Sequence, residues 1–134
     1  MLFRSVLAFR IMGTSIVTRV VGPTYALSVG IAAHAAVAIP ASPNDPSCYA
    51  EFTNVGATDV CVVLAPYAAT PAVPVVVFPV DGTPTLPNSF ILPHGLTLPR
   101  IIAVPCNAGG FCVGAIGSAA GPSIIYITPV GNQS

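Results

Sequence analysis

Cys48-Tyr49-Ala50-Glu51-Phe52-Thr53, Asn54-Val55-Gly56-Ala57-Thr58-Asp59 and Val60-Cys61-Val62-Val63-Leu64 follow one another without a break. In the first stretch the side chains sort by alternation: Cys48, Ala50 and Phe52 share one face of a strand, Tyr49, Glu51 and Thr53 the other. The third stretch is apolar at every position, which suits a strand lying deep in a sheet that is covered on both sides. Between them stand turn formers, and the spacing predicts a hairpin with a turn of about four to six residues.

The same reading extends in both directions. Residues 15–21 alternate in part, with Ile16, Thr18 and Val20 on one face and Val17, Arg19 and Val21 on the other. Residues 25–38 are rich in Ala, a helix former. Pro23 and Pro40 flank them and Gly30 interrupts them, so one or two strands are expected instead. Residues 73–80 carry Pro74 and Pro79, which cannot donate to a ladder and belong at a sheet edge or beside a bulge. Asp81-Gly82-Thr83-Pro84 reads as a turn. Residues 89–92 and 98–104 read as short strands joined by Pro93-His94-Gly95, where Gly95 takes a positive φ. Residues 111–116 and 123–128 read as a last hairpin across 117–122.

Eight or so short antiparallel strands at this spacing, with no convincing helix, predict an all-β fold: a β-sandwich, jelly-roll-like. The organisation expected is an N-terminal extension over 1–14, one β-sandwich domain over 15–131, and a short polar tail over 132–134.

Charge is the most unusual bulk property. Only 6% of the 134 residues are charged, against 54% hydrophobic residues and 15 Pro, where an ordinary soluble domain is about 25% charged. Surface of this kind favours association. Arg4, Arg10, Arg19 and Arg100 are scattered and there is no Lys, so the basic stripe that nucleic-acid binding requires cannot be assembled. No long run is free of both charge and Pro, as a membrane-spanning helix needs. The partners expected are therefore protein: further copies of this chain and another subunit of an assembly, with neither nucleic acid nor membrane.

Cys48, Cys61, Cys106 and Cys112 are even in number but form no CxxC pair, so a zinc site is not indicated. Cys61, in an apolar run, reads as a buried thiol acting as a small hydrophobe. Cys106 and Cys112 flank the turn at 107–110 and are the pair worth testing for a bridge. The N-terminus imitates a signal peptide, with Ala33-His34-Ala35 and Ala36-Val37-Ala38 downstream, but Arg10, Arg19 and Gly22-Pro23 break the apolar run. An extension followed by a strand is expected, with residues 1–11 able to dock on a neighbour.

Chemistry-bearing constellations are sparse. His34 lies in an alanine run and His94 in a turn, and neither is accompanied by a nucleophile motif. Asp45, Glu51, Asp59 and Asp81 form no repeated acidic motif. Gly109-Gly110 and Gly114-Ala115-Ile116-Gly117 lack the Lys and helix of a phosphate loop. No catalytic, cofactor-binding or metal-ligating residue is assigned, no cofactor is expected, and the chain reads as a non-enzyme. Arg100, a lone cation entering the apolar run 101–104, reads either as a solvated residue lying along apolar surface or as one side of an intersubunit ion pair with Glu51, Asp59 or Asp81.

One resemblance emerges from these patterns. A strand ending in Asn54-x-Gly56 and leading into Val60-x-Val62, a Pro-rich middle, Leu92-Pro93-x-Gly95, the run 101–104 and the ending Gly121-Pro122-Ser123-Ile124-Ile125-Tyr126-Ile127-Thr128-Pro129 together resemble small virion proteins of tailed bacteriophages. In particular they resemble the capsid cement (decoration) proteins with β-sandwich or jelly-roll bodies. The resemblance spans residues 16–131 and implies a virion structural protein on the capsid exterior, made in the bacterial host cytoplasm. It would bind the major capsid protein and further copies of itself. Head–tail or tail accessory proteins, and an exported β-domain for adhesion or ligand binding, are the alternatives.

Overall fold

A computed structural model describes residues 18–41, 49–74, 76–84, 87–95, 98–105 and 109–132 of the chain. Among them are nine strands and no helix. They are β1 (Thr18–Val20), β2 (Tyr25–Val29), β3 (Val37–Pro40), β4 (Tyr49–Asn54), β5 (Val60–Pro66), β6 (Ser89–Leu92), β7 (Arg100–Ala103), β8 (Gly110–Gly117) and β9 (Ser123–Asn132). The Ala-rich stretch resolves into β2 and β3, as its flanking prolines require. The alternation read in 49–53 holds in β4, whose Ala50, Phe52 and Asn54 are buried while Tyr49 is exposed.

The strands form two antiparallel sheets in a sandwich-like arrangement. The first runs β1-β9-β4-β7, with β2 alongside β1 on the same edge of β9; the second runs β3-β8-β5-β6. Apolar side chains from both meet in one core. Leu27, Phe52 and Ile127 come from the first sheet, and Val62, Leu92 and Val113 from the second. Phe52 meets Phe90 edge-on across the gap, with ring centroids 5.2 Å apart.

Three turns expected to close hairpins instead carry the chain from one sheet to the other. β4 and β5 lie in different sheets, as do β6 and β7, and β8 and β9. The corner at 55–59 shows the reason. Asn54 lies on the buried face of β4, and its amide donates to the carbonyls of Thr58 and Leu92, both at 3.0 Å. Its Oδ1 accepts the Gly56 N–H at 2.9 Å. Ser123, fully buried at the start of β9, accepts from Thr58 N at 3.1 Å and donates to Thr58 O at 2.9 Å. The corner's polar groups are thus satisfied by β6 and β9 rather than by a two-strand ladder. Gly95 does adopt the expected positive φ, at 72°, but its turn also crosses between sheets.

The expected strand over 73–80 is not formed. Among its described residues the backbone makes only an isolated bridge, Val80 with Thr83, because Pro74 and Pro79 remove donors. The segment packs on the outer face of the second sheet instead.

Pairing order has a simple logic. β2 pairs with β9, β3 with β8, β4 with β7 and β5 with β6, each antiparallel. The chain therefore doubles back through the β5–β6 connection. Successive rungs of the doubled ribbon fall alternately in one sheet and the other, and β4–β9 and β5–β8 pairing completes them.

Candidate interaction surface

The two sheets differ on the faces they turn away from the core. On the second sheet, Cys61 and Val63 of β5 and Cys112 and Gly114 of β8 point outward, yet all four are buried. The Pro-rich connection covers them. A side chain at Gly114 would stand 2.6 Å from Val73 Cγ2 and 3.2 Å from Val76 Cγ2, so the absence of a Cβ there lets the connection lie flat on the sheet. Val76 itself is buried. This accounts for β5 being apolar on both faces, as its sequence required.

The corresponding face of the first sheet is open only in part: Val130 and Thr128 of β9 point to it and are buried, while the side chains around them are exposed. Alternation places Tyr49, Ile101, Ile124 and Tyr126 on it, from three adjacent strands, each roughly 40% exposed. Val20 of β1 continues it, at 68% exposed. Among the described residues of this face Glu51 is the one charge, set between Ile101 and Thr128 in the sheet. Thr128 is buried and shares a hydrogen bond with Thr24. An apolar, nearly uncharged face crossing several strands is what protein partners cover.

Arg100 is exposed at the start of β7, yet its side chain is engaged within its own chain. The guanidinium lies 5.4 Å from the centre of the Phe90 ring and donates to Ile91 O at 2.9 Å. It therefore ties the edge strand of one sheet to the edge strand of the other. The side chain stays exposed while lying along apolar surface, as the solvated reading has it, and the ion-pair partners considered from sequence are not among its described contacts.

At the end of the sandwich where the corners gather, Asp59 clasps the following turn. Its Oδ1 accepts the His94 N–H at 3.0 Å and lies 2.6 Å from His94 Nδ1. Its own carbonyl accepts Ser118 N–H at 2.9 Å. The His94 backbone bond first, then the ring, holds the Asp59 carboxyl below the usual carboxylate range. One residue thus joins three inter-strand connections. His34, the other histidine, contacts only the neighbouring Ala35 carbonyl through Nδ1 in its described side-chain bonds.

Cys61 and Cys112 are buried free thiols, so the Cys106–Cys112 bridge is not formed. Burial pushes the Cys61 thiol up, away from reactive thiolate character. Cys48, Cys106 and the N-terminal extension over 1–14 lie outside the described residues. Among the described residues, no three His, Cys, Asp or Glu side chains are grouped to hold a metal, and no helix is long and apolar enough to cross a membrane.

The alternation of β4 was the sequence signal for the open face. What could not be seen was that Ile101 and Tyr126 would flank it, because that needs the strand order. Comparisons of the chain with protein-family models, with characterised proteins and with solved structures gave no match.

Proposed function

We propose that the chain is a non-enzymatic structural subunit of a tailed-phage virion, which self-associates and binds the capsid exterior. One observation carries the reading: the outer face of the first sheet exposes an apolar, nearly uncharged set of side chains around Tyr49, Ile101, Ile124 and Tyr126, while the equivalent face of the second is covered by the chain itself. A chain able to seal one face leaves the other for a partner. Repetition on a symmetric shell multiplies modest contacts of this kind into firm attachment.

The pairing order supports the finer reading of the fold. A doubled ribbon whose rungs alternate between two four-membered strand sets is the wrapping that defines a jelly roll, with β1 as an additional strand on β9. Jelly rolls serve as capsid domains, among other roles, so fold and surface point the same way. The major capsid protein is the partner that the virion reading requires. Free, buried Cys61 and Cys112 leave the exported β-domain without a bridge at either residue, a feature that would favour it.

Quantitative mass spectrometry of gradient-purified particles from the source lysate tests this. A simple ratio of this chain to the major capsid protein is the expected result. A copy number of about a dozen or fewer, of the order a closed ring supplies, would move the protein to the neck or tail. Absence from the particle would overturn the virion reading.

A further inference from the structure

The two sheets end side by side in the edge strands β6 and β7, and only one of these edges is blocked. In β6 the ladder runs through Leu64 N–H to Asn88 O at 2.9 Å, so the alternating bonds leave Ser89 and Ile91 facing away from β5. The outward carbonyl of Ile91 is taken by Arg100, whose guanidinium also covers Phe90. A charged side chain across an edge is a standard bar to further strand pairing.

β7 has no such guard among the described residues. Val55 N–H donates to Ile124 O at 3.0 Å, which fixes the alternation in β4: Tyr49, Glu51 and Thr53 bond toward β9, Ala50 and Phe52 toward β7. Their partners Ile102 and Arg100 therefore turn their backbone groups inward. Ile101 and Ala103 turn theirs outward, presenting two N–H and two C=O groups along an exposed edge. The next positions of the same parity are Pro99 and Pro105, which lack N–H groups. The open edge is thus bounded at both ends.

We infer that β7 pairs antiparallel with β7 of a second copy, across a two-fold axis at Ile102. In that register Ile101 of each copy stands opposite Ala103 of the other. All four outward donors and acceptors are matched, and the flanking prolines leave no donor unmatched beyond them. The outer faces of both first sheets then join into one apolar surface. Like-charge repulsion does not oppose it: the two Glu51 lie about three strand spacings apart and the two Arg100, each opposite Val104 of the other copy, are offset by about four residues along the strand, so both pairs are separated by roughly 14 Å, beyond the ~8 Å Debye length at physiological salt. A contact this short buries less than the roughly 1,000 Å² expected of a stand-alone interface. A second copy is therefore held weakly in solution and firmly only where an assembly repeats the contact. The inference rests on the self-associating subunit proposed above and names its interface.

Sedimentation velocity of the full chain over a wide concentration range tests it. The wild type is expected to show a reversible monomer–dimer equilibrium. Ala103→Pro removes an outward N–H without touching the β4 ladder and is expected to weaken the dimer at least about tenfold, with the far-UV CD unchanged. Ile101→Lys should act in the same direction, while Val77→Lys on the covering connection should leave the equilibrium as it is. A wild type monomeric at every concentration, or a dimer indifferent to Ala103→Pro, would overturn the edge pairing. Particle copy number is a separate measurement: a β7-dependent dimer absent from particles removes the virion reading and keeps the interface.

Discussion

Two faces of the same sandwich have opposite fates. The outer face of the second sheet is covered by the connection after β5, with Tyr67 against Gly109 and Val73 and Val76 against Gly114 of β8. The outer face of the first sheet, around Tyr126 and Ile101, is left open. Hydrophobic strand residues therefore do not by themselves say which side is core. The long connection between β5 and β6 decides it, because that connection lies over one sheet only.

Substitution by a charge at matched positions should expose this difference most strongly. Val63, 1% exposed under the cover, changed to Asp leaves an uncompensated buried carboxylate, and a loss of about 3–5 kcal/mol is expected in urea denaturation. Tyr126→Asp on the open face should stay within about 0.5 kcal/mol of wild type while reducing attachment to particles. Equal destabilisation at the two sites would mean that the first face is also closed.

The corner joining the sheets comes next in size. Asn54→Ala leaves the Gly56 N–H without its partner and takes one donor each from the Thr58 carbonyl, which keeps Ser123, and the Leu92 carbonyl, which keeps the β5 ladder. A loss of about 1–3 kcal/mol is expected in thermal or urea unfolding. Serine or aspartate at this position would restore part of the corner and sharpen the assignment. Arg100→Ala removes the contact with Phe90 and the bond to Ile91 O. It should cost about 1 kcal/mol and uncover the β6 edge, giving new concentration-dependent association by light scattering. A variant that associates no more than wild type would mean that Arg100 does not guard that edge.

The smallest effect is one of pH. Asp59 is held below the usual carboxylate range by His94, so its stabilising contribution is present above the unfolded value and lost as pH falls through the folded one. Melting temperatures followed from pH 6 to 3 should fall more steeply for wild type than for Asp59→Asn below about pH 4. Parallel curves would remove Asp59 from the account of that end of the sandwich.

How much of this was legible can be judged residue by residue. Alternation alone puts Ala50 and Phe52 on one face of β4 and Tyr49 on the other, and the structure shows the first face to be the buried one. β5 was assigned to a doubly covered position from its unbroken apolar run, and it is buried from Val60 to Leu64. Gly95 was given its positive φ. The destination of each turn was not legible. The same Gly- and Asn-rich segment serves a hairpin or a crossing, and Asn54 turned out to bond Leu92, 38 residues away. Nor could Arg100 be placed, since its partners Phe90 and Ile91 belong to the other sheet. Residues 73–80 misled because β-branched residues suit a packed cover as well as a strand.

The chain by itself determined that its described residues fold as short strands without helix, and that it carries too little charge to keep every apolar face in water. Period-two alternation, prolines and glycines are local features, and local steric and burial preferences suffice to read them. Which strands became neighbours, which face was sealed and which edge was left with unpaired N–H and C=O groups were decided only by the tertiary structure. Those outcomes depend on hydrogen bonds and packing between residues far apart in the chain, whose free energies no single segment contains.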